Sequence, residues 1–396
     1  MHISKIRKIC LRFLIVFNAL FILTLPFNYN LLKLNILTPF FEKLLKKLVP
    51  ANFNDTSSYT LDFYSDSTGL YFNIILIIFL SFIAVAFWSY LGKNSNIKIN
   101  NNRLFSFLFI GICYYLALQM SIYGFNKLFK FQFYDAHPNT LFTPVGFLTK
   151  DFLYWTSMGS SSLFNTITGL TEVFISIFLL FKPTRFLASI LGFFGMLYVF
   201  FINIAFDINV KIQSLFLVFL FSILLFPYIK TYYQFFIKKK TVRIRPIPVL
   251  IKTGTRYAML KIIVVSLIFT EALYPYVKSN SFNGDTVVKP PFYGAYSIKN
   301  DSVYKRFFIH SDPYFIIQDK DDNLYSFPMT LDSKYFIVKF NDRQTYLSYS
   351  SQDSIFSVKG DFFGYPLNIK ATKIDIDTLP FFKDSFKWTI DSYGKE

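Results

Sequence analysis

Four charged residues near the ends of long apolar segments are the groups in this chain that could transfer a proton or bind a polar headgroup. Glu172 lies roughly 10 Å inside one apolar segment, and Lys127 ends the segment before it. Asp207 and Lys211 flank the junction between the next two segments. A charge inside hydrocarbon costs at least about 2.5–3.5 kcal/mol on insertion scales, so each residue requires a compensating contact or a function. Further polar side chains project from the same segment ends, among them Tyr123, Gln132 and Asn203.

Two interpretations of these residues remain open. In the first, the segment ends surround an outward-facing polar pocket in which Glu172, with Lys127 or Lys211, binds a headgroup or relays a proton. In the second, the charges pair with one another and tie helices together without a ligand. Asp207 and Lys211 are four residues apart, which favours a local clamp, whereas Glu172 has no basic residue one turn away. Glu271, at the outer end of the last apolar segment, is expected to reach the membrane surface by snorkelling.

The chain has few residues that could support metal, thiol or disulfide chemistry. The three histidines, His2, His137 and His310, are far apart, and the two cysteines, Cys10 and Cys113, each lie alone in an apolar run. We therefore expect neither a metal site nor a thiol mechanism made by this chain. Of 396 residues, 53% are apolar and 16% are charged, against roughly 25% charged in an ordinary soluble domain. The composition argues against a soluble enzyme.

Seven apolar stretches approach or exceed the length of about 20 residues that crosses a bilayer. They lie at about 9–26, 70–91, 104–126, 165–181, 185–206, 212–229 and 257–274. These stretches predict an α-helical polytopic membrane bundle of about seven spans over residues 1–274.

The distribution of positive charge predicts the orientation of these spans. The segments 1–12, 92–103, 182–185 and 230–256 together hold 17 Lys and Arg residues and no Asp or Glu, which equals the net charge of +17. Basic residues mark the cytoplasmic side, so we expect the N-terminus inside and the C-terminus outside. The basic cluster of the last segment consists of Lys238, Lys239, Lys240, Arg243 and Arg245. Beside a span, this cluster predicts contact with anionic lipid rather than with nucleic acid.

Residues 285–396 change to short β-branched and aromatic runs separated by polar turns. Four strands are predicted, at Tyr314–Gln318, Tyr335–Phe340, Ser354–Lys359 and Tyr365–Lys370. This meander predicts a C-terminal all-β domain, either a sandwich or a barrel, on the outer side. The long outer loop 127–164 is rich in aromatic residues, and we expect it to fold back onto the helix bundle.

Several short motifs in a fixed order resemble the DoxX-like family of bacterial membrane proteins, in its longer form with an outer β-domain. The motifs are Tyr123-Gly124-Phe125-Asn126-Lys127, Gln132-Phe133, Met158-Gly159, Gly169-Leu170-Thr171-Glu172, Thr184-Arg185 and Asn203-x-x-x-Asp207-x-x-Val210-Lys211. The resemblance implies a four-helix core made of the third to sixth spans, a bacterial inner membrane and a periplasmic β-domain. The chain departs from redox members of the family that carry cysteine pairs. A second family with a similar plan is the one that includes vitamin K-dependent carboxylase.

Two classes of function follow. In the first, the protein is a redox-linked or quinone-associated membrane component, with quinone as its cofactor and the outer-leaflet polar residues as its site. In the second, it is a non-catalytic envelope assembly or interaction protein whose β-domain binds a periplasmic protein partner. Whether the chain is an enzyme stays open at this point.

Overall fold

The computed structural model describes residues 5–25, 30–48, 63–94, 100–243, 254–299, 301–341, 343–352 and 355–383. Its contacts divide the chain into two compact units. The helical unit comprises Met1–Gln132 and Asn165–Phe282, and the barrel unit comprises Phe133–Phe164 and Asn283–Glu396. The barrel unit therefore consists of two separate stretches of the chain, because residues 133–164 interrupt the helical unit.

The helices follow the apolar stretches of the sequence. Those of the described residues are α1 (Lys5–Thr24), α2 (Thr38–Leu48), α3 (Thr68–Asn94), α4 (Asn101–Leu128), α5 (Pro138–Leu141), α6 (Lys150–Gly159), α7 (Ser162–Leu180), α8 (Arg185–Ala205), α9 (Lys211–Leu225), α10 (Ile229–Tyr232) and α11 (Thr255–Ser279). The two short helices α5 and α6 lie in the loop that belongs to the barrel unit.

Among the described residues, six helical segments are long and apolar enough to cross a membrane. They are Thr68–Gly92, Asn101–Leu128, Ser162–Leu180, Arg185–Ala205, Lys211–Ile237 and Thr255–Thr286. These segments coincide with six of the seven predicted spans and make the chain a multi-pass membrane protein in contact with lipid. The first predicted span coincides with α1, whose first turns carry Lys5, Arg7, Lys8 and Arg12, and its crossing of the bilayer stays a prediction.

The core of the helical unit is apolar and closely packed. The Phe21 and Phe216 rings stack with their centroids 3.8 Å apart, which joins α1 to α9. A Cβ atom added to Gly192 on α8 would lie 2.1 Å from Cε1 of Phe221 on α9, so only glycine fits there. The predicted helical bundle with a C-terminal β-domain is thus confirmed.

The C-terminal strands close into a barrel. They are β1 (Gly294–Ile298), β2 (Tyr304–Ile309), β3 (Tyr314–Asp319), β4 (Leu324–Leu331), β5 (Tyr335–Phe340), β6 (Arg343–Gln352), β7 (Ile355–Phe362) and β8 (Tyr365–Ile374). Each strand pairs antiparallel with the next in sequence, and β8 pairs antiparallel with β1. Closure leaves no free sheet edge within the described residues. The barrel, rather than the sandwich, is therefore the correct alternative.

The aromatic loop 127–164 is divided between the two units. Residues 133–164 group with the barrel unit, whereas Phe129 and Phe131 at the start of the loop pack against Tyr276 of α11. The expected packing onto the helix bundle is therefore found at the start of the loop and stays a prediction for the rest. The Gln318 side-chain amide on β3 donates a 3.0 Å hydrogen bond to the Phe142 carbonyl oxygen, and the Phe142 ring stacks on Phe308 of β2. The Asp135 backbone N–H donates to the Asp285 carboxylate at 2.7 Å. Aromatic composition predicts that a loop packs on an apolar surface, but it does not identify that surface.

Candidate functional site

Helices α4 and α7 cross at two glycines. A Cβ atom on Gly124 would lie 2.9 Å from the Gly169 carbonyl oxygen, and one on Gly169 would lie 2.8 Å from the Gly124 carbonyl oxygen. Further along the same crossing, the Ser121 and Ser176 hydroxyl oxygens are 2.7 Å apart, and Ser176 donates to the Ala117 carbonyl oxygen at 2.7 Å. Small residues of this kind let two helix backbones approach closely inside a membrane.

The predicted charges Lys127 and Glu172 meet at one end of this crossing. The Lys127 ammonium donates to both carboxylate oxygens of Glu172, at 2.6 and 2.7 Å. The two side chains are only 9% and 13% exposed. With Tyr123, whose ring centroid is 5.8 Å from the ammonium, they form what we term the α4–α7 group.

The remaining predicted charges close the turn between α8 and α9. Asp207 has a left-handed backbone (φ 54°), and its carboxylate accepts a 2.7 Å hydrogen bond from the Lys211 ammonium. The Asn203 amide donates to the Ser214 hydroxyl at 3.0 Å. Asp66, from the segment before α3, accepts the backbone N–H groups of Lys211 and the next residue at 2.7 and 3.0 Å. We term Asn203, Asp207 and Lys211 the α8–α9 group.

The structure therefore distributes the predicted site residues over two helix junctions. The α4–α7 group and the α8–α9 group each have partners within their own junction. The last predicted residue, Gln132, donates its backbone N–H to the Asn126 carbonyl oxygen at 3.0 Å. Its side-chain Oε1 is buried and has no hydrogen-bond partner among the described residues.

Sequence reasoning missed the environment of a fully buried carboxylate in the described part of the helical unit. Glu271 on α11 is fully buried, so the expected snorkelling is wrong. Its carboxylate accepts the backbone N–H groups of Asn30, Leu31 and Leu32, the last two at 2.8 and 2.9 Å. The Asn30 amide also donates to the Glu271 carbonyl oxygen at 3.2 Å. Backbone donors some 240 residues away leave no signature in a sequence, and the same reason explains why Asp66 was missed.

The barrel unit brings together two histidines that the sequence keeps apart. The ring centroids of His137 and His310 are 4.2 Å apart, and the Ser311 hydroxyl lies 3.5 Å from His137 Nδ1. Burial, followed by the positive charges of His310 and Lys289, lowers the pKa of His137 to about 4. Burial also lowers the pKa of His310, while Asp312 acts in the opposite direction on both rings. The described residues contain no group of three or more metal-ligating side chains, so this pair is not part of such a cluster.

We expect the barrel unit to lose stability as the pH falls through the range from about 6.5 to 4. An unfolded histidine has a pKa of about 6.5, so the unfolded chain binds more protons than the folded one in this range. The contribution is fully present above pH 6.5 and is lost towards pH 4. In thermal unfolding of the full chain, the double variant His137→Gln/His310→Gln is expected to flatten the pH dependence. His2→Gln, a control outside the described residues, is expected to leave it unchanged. Equal pH slopes in the double variant and the parent would contradict this account.

The basic cluster lies at the end of the helix that continues α9 and α10. Lys238, Lys239, Lys240 and Arg243 are exposed, and Arg245 lies outside the described residues. The preceding Phe235, Phe236 and Ile237 are also exposed, with 53%, 67% and 67% of their surface accessible. Exposed apolar residues next to exposed cations are typical of a segment at a membrane surface.

The contacts within the helical unit explain most of the predicted site residues as ties between helices. The barrel unit contributes a separate set of polar groups.

Comparison of the chain with protein families, with curated proteins and with solved structures gives no match.

Proposed function

We propose that this chain is a DoxX-like protein of the bacterial inner membrane that acts as a non-catalytic envelope assembly or interaction protein. In this proposal the helices anchor the chain with its N-terminus in the cytoplasm. The barrel unit lies in the periplasm and makes the interaction. The exposed basic cluster at Lys238–Lys240 and Arg243 contacts anionic lipid on the cytoplasmic side.

The observation that carries the proposal is the closed Lys127–Glu172 pair. Both carboxylate oxygens of Glu172 accept hydrogen bonds from Lys127, and the pair lies at the α4–α7 crossing. A site for a headgroup or a transferred proton requires at least one group directed at the ligand. These two side chains are directed at each other, which favours a structural role for them.

Two other motif residues, Asn126 and Asp207, also have structural roles. The Asn126 side-chain oxygen accepts a 2.6 Å hydrogen bond from the Tyr276 hydroxyl, which joins α4 to α11. Its carbonyl oxygen accepts the backbone N–H groups of Phe131 and Gln132 at 2.8 and 3.0 Å, which ends α4. In the α8–α9 group, Asp207 supplies the left-handed residue of the turn. Helix packing and helix ends therefore account for Asn126, Lys127, Glu172 and Asp207 among the residues of these motifs.

The proposed orientation is tested with reporter fusions to the full chain. A reporter that works only outside the cytoplasm is expected to be active when fused after Glu396 and inactive when inserted at Arg245. A reporter that works only in the cytoplasm serves as the reciprocal control at both positions. Activity of the first reporter at Arg245, or its inactivity at Glu396, would contradict the proposed orientation.

A redox-linked, quinone-associated component is the second candidate, and the contact between Tyr123 and Lys127 favours it. A phenol beside a buried ammonium–carboxylate pair has the donors that a quinone carbonyl requires. If the extracted and purified protein carries about one quinone per chain, this candidate is established. Our proposal predicts no quinone above the amount found with an unrelated membrane protein purified in the same way.

A further inference from the structure

The inward face of the barrel changes from apolar to polar residues at one end. Along β8, Leu367, Ile369 and Ala371 alternate with outward residues and belong to the apolar barrel core. The next position in this alternation is Lys373. Lys373 is directly opposite Tyr296 of β1, a buried core residue. Residues directly opposite on antiparallel strands share a face, so Lys373 lies on the inward face at the barrel end.

A second polar residue occupies the same inward layer. Ser351 on β6 is directly opposite Phe356 of β7, which is a buried core residue. The residues two and four positions earlier on the same face, Tyr349 and Leu347, are apolar core contacts. The apolar interior therefore ends in a layer that contains one lysine and one serine hydroxyl.

These residues border an open cavity of about 470 Å³ at the barrel end, where Ser351 and Lys373 are both exposed. Its lining consists of Phe292, Tyr296, Ser351, Phe356, Thr372 and Lys373. Aromatic rings form one part of the lining, and the inward-facing Ser351 hydroxyl and Lys373 ammonium form the other, whereas Thr372 is opposite Ser297 on the outward face. The volume falls within the range of about 300–1,000 Å³ that is typical of small-ligand sites.

Two residues near the start of β1 contact side chains that line the cavity. Phe292 has a left-handed backbone (φ 65°), which costs energy for a bulky residue, and its ring packs against Phe356 with centroids 5.2 Å apart. Gly294 leaves room for the Lys373 side chain, because a Cβ atom there would lie 2.9 Å from Lys373 Cε. Within the described residues, Lys373 forms no ion pair.

We infer that this cavity binds one anionic amphiphile, a molecule with an apolar chain or ring and a carboxylate or phosphate head. The apolar part packs against Phe292, Tyr296 and Phe356. The head accepts hydrogen bonds from the Lys373 ammonium and the Ser351 hydroxyl, which are the donors that an anionic oxygen requires. This inference deepens the proposed function, and it rests on that proposal in treating the barrel as the interacting part.

The test is photolabelling of the full chain in lipid nanodiscs. The probes are a medium-chain carboxylic acid that bears a diazirine, its methyl ester and the matching alkyl phosphate. We expect saturable labelling, with adducts mapped to residues 292–296, to Ser351 and Phe356, and to residues 372–373. Lys373→Met is expected to weaken the apparent affinity for an anionic probe about tenfold and to leave the ester unaffected. Lys359→Met, an exposed lysine on β7, is the matched control and is expected to behave as the parent.

The relative affinity of the carboxylate and phosphate probes identifies the head group. Ser351→Trp, which fills the cavity, is expected to remove labelling by all three probes. Unsaturable labelling spread over the chain, or equal affinity of Lys373→Met and the parent for both anionic probes, would overturn the inference. Neither result would change the outcome expected for the reporter fusions. The inference about the cavity can therefore be contradicted while the proposed function stands. An unchanged melting temperature of Lys373→Met establishes that its barrel is folded.

Discussion

Replacement of Glu172 by Gln is expected to lower the stability of the helical unit by about 3–5 kcal/mol. The substitution keeps the shape of the side chain and removes its charge. Lys127, 9% exposed, is then left as a buried ammonium without its carboxylate partner. The Gly124–Gly169 crossing holds the two backbones in contact, so the helices cannot separate to admit water without losing that packing. Thermal unfolding of the full chain in detergent measures the loss as a lower apparent melting temperature.

Asp207→Asn is the matched control for this variant. It also removes the carboxylate of an ion pair with lysine, but the Asp207 side chain is 84% exposed. Asparagine accepts the left-handed backbone of this position as readily as aspartate. An exposed pair contributes at most about 1 kcal/mol, so the control is expected to unfold close to the parent. If Glu172→Gln also unfolds as the parent does, the pair is not what holds α4 to α7.

Replacement of Glu271 by Ala is expected to cost about 3 kcal/mol or more, because three backbone N–H groups lose their acceptor. These donors belong to Asn30, Leu31 and Leu32, and the carboxylate that accepts them is fully buried. Loss of the acceptor is expected to release this segment, which limited proteolysis detects as new cleavage at residues 30–32. The apparent melting temperature is expected to fall in parallel.

Glu42→Gln on α2 serves as the control for Glu271, since Glu42 is only half-buried. This variant is expected to keep both the parent's melting temperature and its cleavage pattern. The prediction fails if Glu271→Ala is resistant to proteolysis at residues 30–32 and unfolds at the parent's temperature.

The spans and part of the barrel could be predicted because their signals are local. An apolar run of span length identifies a helix such as α8, and alternating β-branched and aromatic residues identify a strand such as β5. The Lys211–Asp207 pair was also predictable, because its partners are four residues apart. The Lys127–Glu172 pair was one of two open interpretations, since nothing in the spacing states that α4 and α7 cross at Gly124 and Gly169.

The features that could not be predicted depend on contacts between distant segments. Glu271 and Asp66 bind backbone N–H groups, and a backbone donor has the same chemistry in every residue except proline. The closure of the barrel depends on the pairing of β1 with β8, whose residues are far apart in the chain. The cavity at Lys373 could not be predicted either, because the pairing of β8 with β1 determines which residues of β8 face inward.

The double variant Lys127→Met/Glu172→Gln, measured beside the two single variants, tests the central claim most directly. If the pair ties α4 to α7 and serves no ligand, removal of both charges leaves no unpaired buried charge. The double variant is then expected to recover most of the stability that either single variant loses, with a coupling energy of about 2 kcal/mol or more. Single variants that unfold at the parent's temperature, or losses that simply add in the double variant, would contradict the claim.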